Sequence, residues 1–210
     1  MEQTTDLKKV KTYVIDQFKH DSTGHDAEHM KRVAFWSREL ALKENVDPFL
    51  CEISGWLHDV GDPKLYQNPQ TALKERDHLL EDLSLSPSQI KTITNAIETV
   101  SFSKGKRPDT KVGEILQDAD RLDAIGAIGI ARTFAFGGAR NQAIYKDGEG
   151  TDHSIGHFHG KLLKLASLMN TGSGRAEAVR RHEFMLQFLE EFRREQLTTS
   201  EKRRVPNDKE

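Results

Sequence analysis

Apolar residues recur at three- and four-residue steps along almost the whole chain. Leu7, Val10, Val14 and Phe18 form one such stripe, the period of an α-helix with a single buried face. Val33, Trp36 and Leu40 form the next, and His29 falls one turn before Val33 on the same face. An imidazole placed there points inward. Asp47-Pro48 reads as an N-cap with a first-turn proline, opening a helix that runs through Leu57. Gly61, Pro63 and Pro69 then break the pattern, which predicts a loop over Asp59 to Pro69.

Further helices are predicted from Thr71 to Leu83 and after Ser86-Pro87, where Ile90, Ile93 and Ile97 turn inward. Ser103 to Asp109 reads as a positively charged loop. Val112, Ile115, Leu116 and Leu122 define a helix that carries Asp118 and Asp120. The small-residue run from Ala124 to Ile130 predicts close helix packing, since no strand precedes it to make a dinucleotide-binding turn. Gly137 to Asp152 reads as a long irregular excursion. Two helices follow, near Ile155–Met169 and Arg175–Leu197, the second with Ser173 as N-cap and a stripe of Val179, His182, Leu186, Leu189 and Phe192. No run of strands emerges. The fold class expected is all-α, one helical bundle over residues 1–197 with a charged, disordered tail over 198–210.

Composition narrows the function classes. Lysine and arginine (31) nearly balance aspartate and glutamate (33), a formal net charge of -2, so no broad basic face for nucleic acid is implied. Cys51 is the sole cysteine; it excludes an internal disulfide, fits a reducing cytoplasm, and falls among Leu50 and Ile53 as an inert buried thiol. The first residues, Met-Glu-Gln-Thr-Thr-Asp, lack the features of a secretion signal. The most apolar stretch, Ala124 to Gly138, is too short to span a bilayer. A cytoplasmic protein with no nucleic-acid or membrane partner is expected. The oligomeric state is not legible.

Against this helical background, His58 and Asp59 stand side by side after the apolar run Ile53, Trp56, Leu57. An imidazole and a carboxylate at the end of a buried helix are costly unless each has a partner. A divalent cation satisfies both, because neutral imidazole and ionised carboxylate are two of its common ligand types. His29 joins them as an inward-facing histidine, although such a residue alone would more often bond a backbone carbonyl. Asp118, Asp120 and Asp123 each compete to supply a further carboxylate.

The order of these groups resembles the H…HD…D signature of the HD-domain superfamily of metal-dependent phosphohydrolases. His25-Asp26-x-x-His29-x-x-Arg32-Val33, Leu57-His58-Asp59-x-Gly61-Asp62 and Gln117-Asp118-Ala119-Asp120-Arg121-Leu122-Asp123 all look like that superfamily. His157-Phe158-x-x-Lys161-Leu162-Leu163 and Arg181-His182-x-Phe184-Met185 resemble one bacterial branch, some of whose members are nucleotide pyrophosphohydrolases. One departure is Val100 before Ser101-Phe102-Ser103, where that branch often carries a histidine.

The resemblance implies His29, His58, Asp59 and Asp120 as metal ligands, the Asp-Arg-Leu register selecting Asp120. It implies one divalent ion, Mn²⁺ favoured over Mg²⁺, Fe²⁺ or Co²⁺, since His78 is the sole histidine between Val60 and Ala119. Asp62, three residues beyond Asp59, is the candidate to activate or orient the attacking water, though Asp-Pro is also a common turn. Lys64, Arg132 and Lys161 are candidate phosphate contacts. His25, Asp26 and Asp123 are candidates for supporting the ligands from behind. The activity implied is hydrolysis of a nucleotide with release of pyrophosphate. The alternatives are cleavage of a phosphomonoester, or nucleotide binding by a regulator without turnover.

Overall fold

The computed structural model describes residues 2–19, 24–100, 107–147, 150 and 152–201, with side chains up to 196. Ser101-Phe102-Ser103, most of the expected basic loop and residues 202–210 lie outside these. Among the described residues the protein is all-α. Its helices are α1 (Glu2–Phe18), α2 (Ala27–Glu44), α3 (Pro48–Leu57), α4 (Pro69–Glu81), α5 (Pro87–Val100), α6 (Lys111–Asp123), α7 (Gly126–Ala139), α8 (Ser154–Gly160) and α9 (Gly172–Glu201), with a 3₁₀ segment at Leu162–Leu168.

The caps explain where helices begin. Asp47 accepts hydrogen bonds from the Phe49 and Leu50 amides ahead of Pro48, and Ser86 and Gln89 cap each other reciprocally ahead of Pro87. Asn68 caps α4 through the Thr71 amide, so Pro69 opens that helix two residues before the predicted Thr71.

Layering around α2 positions the site. α2 packs most extensively on α3 and also on α6, while α5 closes against α3 and α6. α1 lies over α3, and α7, the 3₁₀ segment and α9 cover the other side. The α2–α3 contact is close because Gly55 has no side chain. A Cβ there would lie 2.6 Å from the Ala34 Cα. His29, Val33 and Leu40 are buried on the predicted face of α2.

Four further expectations are revised. α7 continues to Ala139, so the irregular excursion starts after it rather than at Gly137. The predicted Ile155–Met169 helix is broken at Lys161 into α8 and the 3₁₀ segment. Thr171, not Ser173, accepts the capping bond from the Gly174 amide, while the Ser173 amide and hydroxyl both donate to Glu44 of α2. The buried stripe of α9 runs through Ala178, Met185 and Leu189, and Val179 and Leu186 are exposed.

Candidate metal centre

His29 comes from the first turn of α2, His58 from the C-terminus of α3 with Asp59 following, and Asp120 from the last turn of α6. Helices far apart in sequence thus bring two imidazoles together, with ring centroids 5.1 Å apart. The His29 Nε2 lies 3.5 Å from Asp59 Oδ2 and 3.7 Å from Asp120 Oδ1. The His58 Nε2 lies 3.4 Å from Asp59 Oδ1 and 3.9 Å from Asp120 Oδ1. Ligand atoms held roughly 2.1 Å from one ion lie about 3.0–3.5 Å apart at right or tetrahedral angles. The four groups therefore have nearly the spacing a single cation requires.

The tautomers sharpen this. His58 donates from Nδ1 to the Gly55 carbonyl at 2.9 Å, and His29 donates from Nδ1 to Asp123 Oδ2 at 2.7 Å. Each Nε2 then presents a lone pair, and both are buried without a hydrogen-bond partner. Two lone pairs facing two carboxylates form a cluster of acceptors with no donor among them. Buried polar groups in this state are costly, and a cation is what the donor set fits. His29, His58 and Asp120 form one group able to hold a metal ion, and His25, His29 and Asp59 form another around the same imidazole.

The local field agrees. Burial acts to lower the His29 pKa, but the hydrogen bond to Asp123 and the nearby Asp59 carboxylate outweigh it and raise the imidazole to about 9 when no cation is bound. Burial acts to raise the Asp59 pKa, yet its neighbours His58, His25 and His29 hold it well below the usual carboxylate range. Positive charge is favoured at this point.

Beside these four groups, His25 Nδ1 contacts Asp59 Oδ2 at 2.7 Å. Asp26 caps α2 by accepting the His29 amide at 2.8 Å, which fixes the backbone that carries the imidazole. Asp123 is buried and accepts from His29, Arg32 and Arg132. Arg132 is thus turned to Asp123, beside the His29 ring, and is not among the residues lining the adjoining cavity. The expected phosphate contact is therefore not where the structure places this guanidinium. Arg32, one turn after His29, is a supporting residue that sequence reasoning missed.

Asp118 faces away from the cluster and accepts from the Thr171 amide and hydroxyl and from Asn170. His153 caps α8 through Gly156. Among the described residues, His153, His157 and His159 belong to no metal-binding group. Cys51 is buried, which pushes its thiol up to about 12.

A cavity of about 640 Å³ opens on the cluster, lined in part by His58, Asp59, Asp120, Asp62, Lys64 and Lys161. Gly61, at φ +83°, makes the turn that brings Asp62 there. Asp62 accepts the Lys64 amide at 2.8 Å.

Comparison with known proteins follows the same lines. A family profile described as "HD domain" matches residues 26–125. The uncharacterized protein YpgQ of Bacillus subtilis is 34% identical over 199 residues, covering 93% of this chain and 96% of that one. The chain belongs to the HD-domain superfamily of metal-dependent phosphohydrolases. A crystal structure of YpgQ in complex with ADP superposes with a TM-score of 0.78 at 36% identity, over 90% of this chain and 97% of that chain. An HD-superfamily hydrolase of Bacillus thuringiensis gives 0.78 at 38% identity, over 92% and 97%. An HD domain binds a divalent metal, and the histidine and aspartate groups able to hold one lie where α2, α3 and α6 meet. Among the described residues no single helix is long and apolar enough to cross a membrane.

Proposed function

We propose that the protein is a nucleotide pyrophosphohydrolase that works with one divalent ion, Mn²⁺ by preference, held by His29, His58, Asp59 and Asp120. The observation that carries this reading is the convergence of two buried Nε2 lone pairs on two carboxylates at the wall of a cavity. The bound cation would offset phosphate charge and lower the pKa of coordinated water.

The chain's own residues supply the rest. Asp62 sits in the turn after the His-Asp pair and lines the cavity, where its carboxylate orients the attacking water and takes up its proton. Lys64 and Lys161 line the same cavity and counter the charge that develops on the transferred phosphoryl group. The cavity volume lies within the range of about 300–1,000 Å³ typical of small-molecule sites. A relative crystallised with ADP supports a nucleotide as the ligand class.

Purified protein is incubated with Mn²⁺ and a panel of deoxynucleoside triphosphates, and the products are separated. Pyrophosphate with nucleoside monophosphate is expected. Orthophosphate as sole product would replace this reading with phosphomonoesterase action, and nucleotide binding without product would replace it with a regulator. Asp62→Asn is expected to retain metal and lose most turnover; near-normal turnover removes Asp62 from the reaction.

A further inference from the structure

Arg76 is a guanidinium buried in a cavity wall with weak compensation. Its side chain is 8% exposed, and it lines the cavity that opens on the metal cluster. Its Nε and Nη2 both donate to a single oxygen, Asp77 Oδ1, at 3.0 and 2.7 Å. A guanidinium carries five N–H donors in a planar fork, and among the described residues these two bonds are the side-chain hydrogen bonds it makes. Asp77 itself is 53% exposed, so water screens the one carboxylate that balances a desolvated charge.

The arrangement suits a further anion. Asp77 orients the fork, and the unspent donors match phosphate oxygens, which arginine binds in bidentate fashion. Gln70, Leu73, Lys74 and Asp77 bring one face of α4 to the cavity, and Arg76 reaches the same cavity wall from the buried face beside it; Asp120 of α6 lines that cavity as well. Arg132, the guanidinium the sequence suggested for phosphate, is committed to Asp123.

We infer that Arg76 receives the outer phosphates of the substrate, so that the cavity selects nucleoside triphosphates over esters with a single phosphate. This rests on the hydrolytic reading above. Arg76 is a specificity residue; the reacting phosphorus is held elsewhere, at the cation.

The test uses full-length, Mn²⁺-loaded protein and two substrates: a deoxynucleoside triphosphate, and the p-nitrophenyl ester of thymidine 5′-monophosphate, which lacks outer phosphates. Arg76→Met keeps the buried stem and Arg76→Lys keeps the charge, so a folding defect in one does not remove the other. In either variant, kcat/KM for the triphosphate relative to the ester is expected to fall by at least about tenfold, the scale of one charge-assisted hydrogen bond. The loss should reside in KM for the triphosphate. Equal losses on both substrates, or no change in the ratio, would overturn the assignment. Calorimetry with an α,β-imido triphosphate analogue against the nucleoside monophosphate supplies a readout independent of turnover. The wild type should prefer the triphosphate analogue, and Arg76→Met should lose that preference at least about tenfold. If the wild type hydrolyses neither substrate, the hydrolytic reading fails by itself and this affinity ratio still decides the role of Arg76.

Discussion

His29 and Asp123, 94 residues apart, are joined by a 2.7 Å hydrogen bond from the imidazole Nδ1 to a carboxylate that is 1% exposed. The bond fixes which nitrogen of His29 carries the proton and aims the other at Asp59 and Asp120. A carboxylate behind a histidine ligand also raises the basicity of the ring. Arg32 and Arg132 balance the charge of Asp123.

Asp123→Asn keeps the shape and removes that charge. Apparent affinity for Mn²⁺, measured by chelator competition, is expected to fall by about 10–100-fold. The melting temperature should fall as well, because two partly buried guanidinium groups lose their counter-ion.

Asp118 and Asp120 stand two residues apart on one helix and serve different ends. Asp120→Ala is expected to abolish tight metal binding with little change in the fold of the metal-free protein. Asp118→Ala should retain metal but lose about 1–3 kcal/mol of stability, because the Thr171 and Asn170 donors are left without their acceptor. Metal content and denaturant unfolding, run on both variants, separate the two roles.

This pair also shows what a sequence can and cannot carry. Helical periodicity alone left Asp118, Asp120 and Asp123 as competitors, since a helix turns about 100° per residue and neighbouring positions differ only in facing. The motif register separated them, and the structure places Asp120 within 3.7 and 3.9 Å of the two Nε2 atoms while Asp118 bonds Thr171. The all-α class and the caps at Asp47 and Ser86 were readable because they depend on local chemistry. The cap at Thr171 was not, because Ser173 is an equally good local candidate until Glu44 of a distant helix claims it. Arg132 is turned from the expected phosphate contact for the same reason. A guanidinium is drawn to whichever carboxylate the tertiary fold brings near, and Asp123 is nine residues from Arg132.

Gly55 couples helix packing to the site. Its missing side chain lets α3 approach α2, and its carbonyl accepts the proton of His58 Nδ1. Gly55→Ala places a methyl group 2.6 Å from a backbone atom of Ala34, which cannot move as a side-chain tip can. A loss of about 1–3 kcal/mol by denaturant unfolding is expected. Metal affinity should drop with it, since the shift of α3 carries His58 and Asp59 away from His29. Stability lost with metal affinity intact would show that the site tolerates the displacement.

The last prediction concerns pH and a clasp remote from the metal. Glu44, at the end of α2, accepts the hydroxyl and the amide of Ser173 at 2.6 and 2.8 Å. These two hydrogen bonds lower its pKa from the ordinary value of 4.5. A carboxylate whose folded pKa lies below its unfolded value binds fewer protons when folded. Its contribution is therefore complete above about pH 4.5 and is lost as pH falls through the folded value. Glu44→Gln keeps an acceptor for Ser173 but removes the charge. Because water screens Glu44, the contribution is small, about 1 kcal/mol or less, which corresponds to a melting-temperature gap of about 1–3 °C for a chain of this size. That gap between wild type and Glu44→Gln should be open at pH 7 and close below pH 4.5. A gap of constant size from pH 7 to pH 3, measured by thermal melts, would show that Ser173 does not depend on the charge of Glu44.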